Sequence, residues 1–431
     1  MKVNRKLDEL LKLLPTLSKP ALGCTEIGAI ALSAAAASEH LTNKIVRADV
    51  IVSPYIYRNV ISVGVPKLGS PGVKGIVAAG IIIADTSKKL AIISDLKASD
   101  VTKVNKMMTA DMIHVSVPFN VDPVYALTTL KDNKGNVAEA LIEKTHDNIA
   151  YIKVNGKIIQ TSNIDNIKTN TIHWNVDNYS LEDIYQACQS FTAREIGFLK
   201  DGVTMNKKIV AHGLKTNPHD SFTKAVTQTS EKLLLTPWKF EVLRNVNAGI
   251  DARMMGCPLP VMTSSDSGDH GLTLIIPQYV YAEERKIPEL KMLQALAFAH
   301  LICWVIKQHI GALSTYCGSV IAATTAAVAG IMFQRGDDLK TIDRLINMCI
   351  ISNGSALCDG AKLSCTYKIV AALSSNFLAL NIAEAQGHVN KHEGLSGNDS
   401  FDTIKNTGIL SKTISNETTE CVIKIINNKH K

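Results

Sequence analysis

Three cysteines in the second half of this 431-residue chain carry its most legible chemistry. Cys358 and Cys365 bracket the run Asp-Gly-Ala-Lys-Leu-Ser, whose glycine lets the backbone turn between them. Cys317 precedes them in Tyr-Cys-Gly-Ser, where Gly318 removes bulk beside the sulfur. Three thiolates converging from two helix ends suit three irons of a [4Fe–4S] cluster, leaving the fourth iron open. Structural zinc wants four ligands, commonly with a short knuckle, and no C-x-x-C occurs in the sequence. On spacing alone the plainest alternative is three ordinary buried thiols, because free cysteine is among the most buried residue types.

Cys24 stands immediately before the run beginning Thr25-Glu26, an expected helix start. Free N–H groups and the helix dipole there favour a thiolate suited to act as base or nucleophile; the bland alternative is a small residue in a tight turn. Ser264-Ser265-Asp266-Ser267-Gly268-Asp269-His270-Gly271 reads as a polar loop between two apolar runs. Its backbone N–H groups can cradle a carboxylate, and His270 is expected to titrate near neutrality; a solvated turn is the alternative. Asp251 and Arg253 suggest a structural ion pair ahead of a carboxylate anchor. Lys362 invites a Schiff base with pyridoxal phosphate, although a lone lysine is more often solvated. The glycine-rich GSPGVKG at 69–75 lacks the order of a nucleotide-binding loop.

These groups need a scaffold, and composition narrows it. Apolar residues make up 46% but aromatics only 5%, so the core is aliphatic and alanine-rich, which favours close-packed helices. The net charge of +7 is spread along the chain; that fits an anionic small substrate better than nucleic acid, which wants a basic stripe with stacking aromatics. Nine cysteines, an odd number, point to thiols or metal ligands in a reducing, cytoplasmic setting. Residues 1–20 read as an amphipathic helix rather than a signal peptide. Residues 310–334 carry no charge and are long enough to span a bilayer. Their hydroxyls and glycines favour a buried helix pair instead.

A strong helix is expected over 25–38, then strands at 46–52 and 59–65 with period-two alternation. A helix at 76–84 follows. An antiparallel meander is expected from 114 to 160, with turns at 132–135 and at Asn155-Gly156, a type I′ signal. Residues 160–180 read as a linker. Helices are then expected near 181–190, 203–213, 220–235, 286–309, 311–334, 338–351 and 366–385. The fold class is therefore α+β. N-terminal helices (1–44) pack on a large alanine-rich helical body (166–431) that carries the cysteines, and a smaller mixed domain with an antiparallel sheet occupies 45–165.

Taken together, KPALGCTEIGAIALS, SPYIYRNVISVGVP, GSPGVKGIVAAG, AREIGFLKDGVTMNKKIVAHGLK, NAGIDARMMGCPLPVMTSSDSGDHGLT, IGALSTYCGSVIAATTAAVAGI and NGSALCDGAKLSC resemble the L-cysteine desulfidase family, relatives of the iron–sulfur L-serine dehydratase alpha chain. The resemblance runs through essentially the whole chain, in order. It implies a [4Fe–4S] enzyme that splits L-cysteine into pyruvate, ammonia and hydrogen sulfide without pyridoxal phosphate. It also implies Cys317, Cys358 and Cys365 as cluster ligands and Cys24 as the catalytic base. Thr25, Asn59, Ser267, Gly268, His270 and Gly271, with Arg253 assisting, are the expected substrate-binding groups. The expected partner is a small amino-acid substrate, with neither nucleic acid nor membrane; a homodimer is allowed. An L-serine dehydratase with the same cluster, and a non-catalytic metal-binding relative, are the alternatives.

Overall fold

A computed structural model describes residues 2–162, 174–216, 222–223, 226, 236–391 and 393–428. Its first half alternates helices and strands: α1 (Lys2–Leu17), β1 (Pro20–Ala21), α2 (Thr25–Ser38), β2 (Ile45–Val52), α3 (Pro54–Val60), α4 (Val73–Ile83), α5 (Val101–Thr109), β3 (Ile113–Ser116), β4 (Tyr125–Asp132), β5 (Val137–Glu143), β6 (Ile149–Val154) and β7 (Lys157–Thr161). The rest is helical but for β8 (Val261–Met262): α6 (Leu181–Ser190), α7 (Ala193–Ile196), α8 (Leu199–Thr216), α9 (Pro237–Met254), α10 (Gly268–Arg285), α11 (Glu289–Ile310), α12 (Thr324–Arg335), α13 (Leu339–Asn353), α14 (Cys365–Glu384), α15 (Ser400–Thr413) and α16 (Ser415–Asn428). This is the α+β arrangement expected, with a large helical body.

The six-stranded sheet runs β3-β2-β4-β5-β6-β7. It is antiparallel except where β3 pairs parallel to β2. In β2, Ala48, Val50 and Val52 face the core, as the alternation predicts. The Asn155-Gly156 turn has both residues at positive φ, 47° and 84°, the conformation a type I′ hairpin requires. Every residue of α2 is buried. This helix lies against β4 and β5, where Ser33 Oγ donates to Thr128 Oγ1 and to Ala140 O, each at 2.9 Å. The expected packing of the N-terminal helices on the helical body is seen chiefly for α1, which lies on α6 and α11, whereas α2 lies chiefly on the sheet and α4. The alanines of α2 let α4 approach so closely that a Cβ on Gly80 would stand 2.4 Å from Ala31 O.

Several boundaries correct the sequence reading. The strand expected at 59–65 is absent; Ser53 caps α3 by accepting from Ile56 N, and Pro54 occupies its first turn, where its missing N–H costs nothing. That cap outweighs the alternating pattern. Residues 310–334 hold a loop followed by one continuous helix, a π-helical turn at Ser319–Ala323 leading into α12, not a helix pair. That helix is buried in the body. Among the described residues, α11 is the one helix long and apolar enough to cross a membrane, and 78% of its apolar window is buried by the protein itself. The sequence reading left α9, most of α10, α15 and α16 unassigned. Most of the helix expected at 220–235 and the middle of the linker expected at 160–180 lie outside the described residues.

Candidate active site at the seam of sheet and helical body

A cavity of about 130 Å³ opens where the sheet side meets the helical body. Its walls come from segments far apart in sequence, from Cys24 to Ile369. Of the expected site residues, Cys24, Thr25, Asn59, Ser267, His270, Cys317, Cys358 and Cys365 all line it. Gly268 and Gly271 do not. A Cβ on Gly271 would sit 1.8 Å from Met262 O, and one on Gly268 would sit 2.6 Å from Arg253 Nε. These glycines let α10 start hard against β8 and the Arg253 guanidinium; they are packing residues rather than substrate contacts. The Gly271 N–H is also already spent on Ser267 O.

On the sheet side, Cys24 precedes α2 and Asn59 lies in α3. Cys24 Sγ donates to Glu26 Oε2 at 2.5 Å, Thr25 Oγ1 donates to the same oxygen at 3.1 Å, and Asn59 Nδ2 donates to Oε1 at 2.6 Å. Burial pushes the Glu26 carboxyl up, but the nearby His146 charge and these donors outweigh it, so Glu26 is held below the ordinary carboxylate range. The thiolate expected at Cys24 is not what the resting site favours. Burial, followed by the Glu26 charge, pushes the Cys24 thiol well above its usual range, with Arg253 opposing. The two groups are a thiol handing its proton toward an ionised carboxylate.

The helical wall is organised around sulfur. A short antiparallel bridge joins Tyr316 to Leu357. Cys317 N donates to Ala356 O at 2.8 Å, and Cys358 N donates to Thr315 O at 2.7 Å. The two cysteine segments are thereby zipped together by main-chain bonds. Gly360, at φ 99°, is in the left-handed region, and a Cβ there would meet Arg58 O at 2.2 Å. Only glycine fits where the loop presses on α3. Cys365 opens α14, with Sγ 3.6 Å from Gly360 O. Lys362 is neither solvated nor poised as a Schiff base; it pairs with Asp359, as does Lys368.

Cys317 is pushed up to about 12, first by burial and then by the charges of Cys358 and Cys365. Cys365 rises to about 11, through burial and the Asp269 charge first, with Cys358 adding to them. Cys317 and Cys365, which resist becoming anions, and Cys358 beside them are a donor set that a cationic group stabilises, since a coordinated thiol is deprotonated outright. Among the described residues, no three His, Cys, Asp or Glu side chains gather closely enough to hold a single metal ion. The three thiols nevertheless line one cavity, and Cys358 and Cys365 are near enough to raise Cys317. By donor chemistry, three cysteine thiols without a fourth protein ligand suit an iron–sulfur cluster better than a structural zinc ion, which takes four.

Cations complete this wall. Buried Arg253 pairs with Asp269 at 2.5 Å and donates to Gly23 O at 3.0 Å; Asp251 instead accepts from Thr223 N and Oγ1. The expected Asp251–Arg253 pair does not form. Lys307, fully buried, donates to Ala312 O at 2.9 Å and is lowered by burial while Cys303, Cys358 and Cys317 oppose. His270 is also corrected. It sits buried in the first turn of α10, its Nδ1 is 3.2 Å from Ser264 O, and burial with the Lys307 charge lowers it to about 3. A carbonyl only accepts, so Nδ1 carries the proton in the neutral ring.

Sequence reasoning missed Glu26, His146 and Lys307. Glu26 was visible only as a favourable first-turn acid, whereas Lys307 left a signal, a lone cation ending the apolar run of α11. His146 left none.

Comparisons with known proteins bear on this arrangement. A family model described as serine dehydratase alpha chain matches residues 87–424. A protein named UPF0597 from Alkaliphilus oremlandii is 33% identical over 404 residues, covering 91% of this chain and 92% of that protein. UPF0597 proteins from Clostridium botulinum (strain Langeland) and Clostridioides difficile are 32% and 30% identical, covering 94% and 96% of this chain and 93% and 98% of theirs.

Proposed function

The chain belongs to the serine dehydratase alpha chain family, and on that premise we propose that it is an iron–sulfur lyase that removes the β-substituent of a small L-amino acid, with L-cysteine as substrate. The products are then pyruvate, ammonia and hydrogen sulfide. What supports this reading most is that a hydrogen-bonded Cys24–Glu26 pair and the thiols of Cys317, Cys358 and Cys365 face one small cavity.

Cys317, Cys358 and Cys365 would hold the cluster. When bound, a cluster with one iron free of protein ligands supplies a Lewis acid for the carboxylate and the leaving group. The remaining work falls to this chain's own side chains. Cys24 Sγ is the base for the α-proton, and Glu26 Oε2 receives the thiol's own proton as that base is generated. Burial opposes the thiolate at rest, whereas Arg253 favours it, and the ammonium of an arriving substrate adds charge of the same sign. Asn59 and Thr25 fix the Glu26 carboxylate by donating to its two oxygens. Elimination leaves aminoacrylate, which tautomerises to an imine and hydrolyses. Ser267, Asp269 and His270 line the cavity at the start of α10, and a helix N-terminus is a setting that stabilises a substrate carboxylate.

The motifs shared with L-cysteine desulfidases support sulfur as the leaving group, and so do the apolar residues Val124, Leu313, Ala361 and Ile369 in the lining, which suit a weakly hydrated thiol. L-Serine is the second reading, favoured by the description of the matching family. Anaerobically purified protein incubated with each amino acid distinguishes them: sulfide and pyruvate in equal amounts from L-cysteine, with an iron and acid-labile sulfide count near four each, supports the first reading. Pyruvate from L-serine alone replaces it with the second. No pyruvate from either amino acid with a full iron count overturns the lyase.

A further inference from the structure

His146 is buried, lines the cavity, and its Nε2 has no hydrogen-bond partner among the described residues. It stands in the β5–β6 loop, which is tied internally: Thr145 N donates to Glu143 O at 2.9 Å, Asn148 Nδ2 to Glu143 O at 2.9 Å, and Thr145 Oγ1 to Asp147 Oδ1 at 3.1 Å. The imidazole is thus presented by a braced loop. A buried, unsatisfied ring nitrogen is costly unless something arrives to meet it. Asn59 Oδ1, also in the lining, is likewise buried with no hydrogen-bond partner among the described residues.

Resting on the elimination reading above, we propose that His146 touches the bound amino acid and is the catalytic acid that protonates its leaving group. The base chemistry leaves one proton too many on one side of the substrate and one too few on the other. The Cα–H bond breaks, its proton goes to Cys24 Sγ, and its electron pair forms the Cα–Cβ double bond. The Cβ–S bond then breaks with its pair on sulfur, which takes the proton from His146 Nε2. Cys24 has by then returned to the thiol and Glu26 holds the displaced proton. Transfer of that proton from Glu26 to His146 resets both groups, so the net change is one proton moved from Cα to the departing sulfur.

Two other candidates in the lining are committed elsewhere. His270 spends Nδ1 on Ser264 O and is neutral. Lys307 donates to Ala312 O and lies beside the sulfur wall. Among charged groups, His146 is the one that most depresses Glu26, which is the coupling the resetting step needs.

His146→Asn, assayed anaerobically beside the unaltered enzyme, tests this with two leaving groups. Sulfide needs a proton to depart, whereas chloride from β-chloro-L-alanine does not. Loss of the acid should lower kcat on L-cysteine about 10²- to 10⁴-fold and on β-chloro-L-alanine less than about 10-fold. Iron content and thermal unfolding midpoint should be unchanged; His146→Gln serves if the Asn variant fails to fold. Equal losses on both substrates, or no loss on L-cysteine, overturn the assignment while leaving the lyase intact. If only L-serine is turned over, the same comparison is made with L-serine. A wild-type enzyme that makes pyruvate from neither amino acid overturns both proposals together.

Discussion

On the sheet side of the cavity, Cys24, Thr25 and Asn59 all donate to one ionised carboxylate, Glu26, with His146 close by. On the helical side, Cys317, Cys358 and Cys365 stand with the cations Lys307 and Arg253. The first wall is a hydrogen-bonded cluster centred on one carboxylate, the path the proposed mechanism gives to protons. The second is a soft donor set whose charges repel one another and whose shape is held by backbone bonds. Even the two histidines differ: His270 is tied to a carbonyl and locked neutral, while His146 Nε2 is left over. On the proposed reading, proton handling and sulfur ligation are thus divided between elements, with Arg253 the link that reaches both Cys24 and the helical wall.

The sharpest break is between Cys358→Ser and Cys24→Ala. The first should remove bound iron and turnover together; the second should abolish turnover with the iron count and cluster absorption intact. Full activity in the Cys24 variant would take that residue out of the mechanism. Next, Glu26→Gln should lower kcat by about 10²- to 10⁴-fold at unchanged iron content. It should do so although loss of the carboxylate charge also lowers the Cys24 thiol, because the acceptor for the thiol's proton is gone. A variant with higher activity would show that the thiolate alone suffices.

On the helical side, Asp269→Asn strands the Arg253 guanidinium, which is 4% exposed. Breaking a buried pair in this way costs about 3–5 kcal/mol, read as a lower denaturation midpoint at unchanged slope. The smallest effect, counted over the first pH unit below 6.5, concerns acid. Burial lowers His300 from 6.5 to about 3, so below pH 6.5 the unfolded chain takes up a proton that the folded chain refuses. Stability contributed by neutral His300 is therefore present above pH 6.5 and falls as pH drops toward 3, by up to about 1.4 kcal/mol per pH unit. His300→Asn keeps a donor for Ser264 and should flatten that part of the denaturation–pH curve; an unchanged slope would assign the acid sensitivity elsewhere.

How far the sequence foretold these walls follows from the range of the forces involved. Local signals were sound: the alternation in β2, the Asn155-Gly156 turn, and α6 at 181–190, whose capping box pairs Ser180 with Asp183. The same kind of signal, Ser53-Pro54, stands before α3, where it competes with an alternating pattern that points to a strand. The start of α10 was legible as a polar glycine segment but not as a buried helix end. Its burial depends on β8 and Arg253, contacts invisible along the chain. The cysteines were noticed because sulfur is chemically distinctive. His146 was missed because a single histidine in a hairpin acquires meaning only when folding sets it near Glu26, 120 residues earlier.

The bridge that zips residues 315–317 to 356–358 has a practical corollary. Because hydrogen bonds of the peptide backbone, rather than any inorganic guest, hold those two cysteine segments side by side, metal-free protein on the iron–sulfur reading keeps a ready receptacle. Reconstitution with ferrous iron, sulfide and a reductant should then proceed on the native fold, with no denaturation cycle.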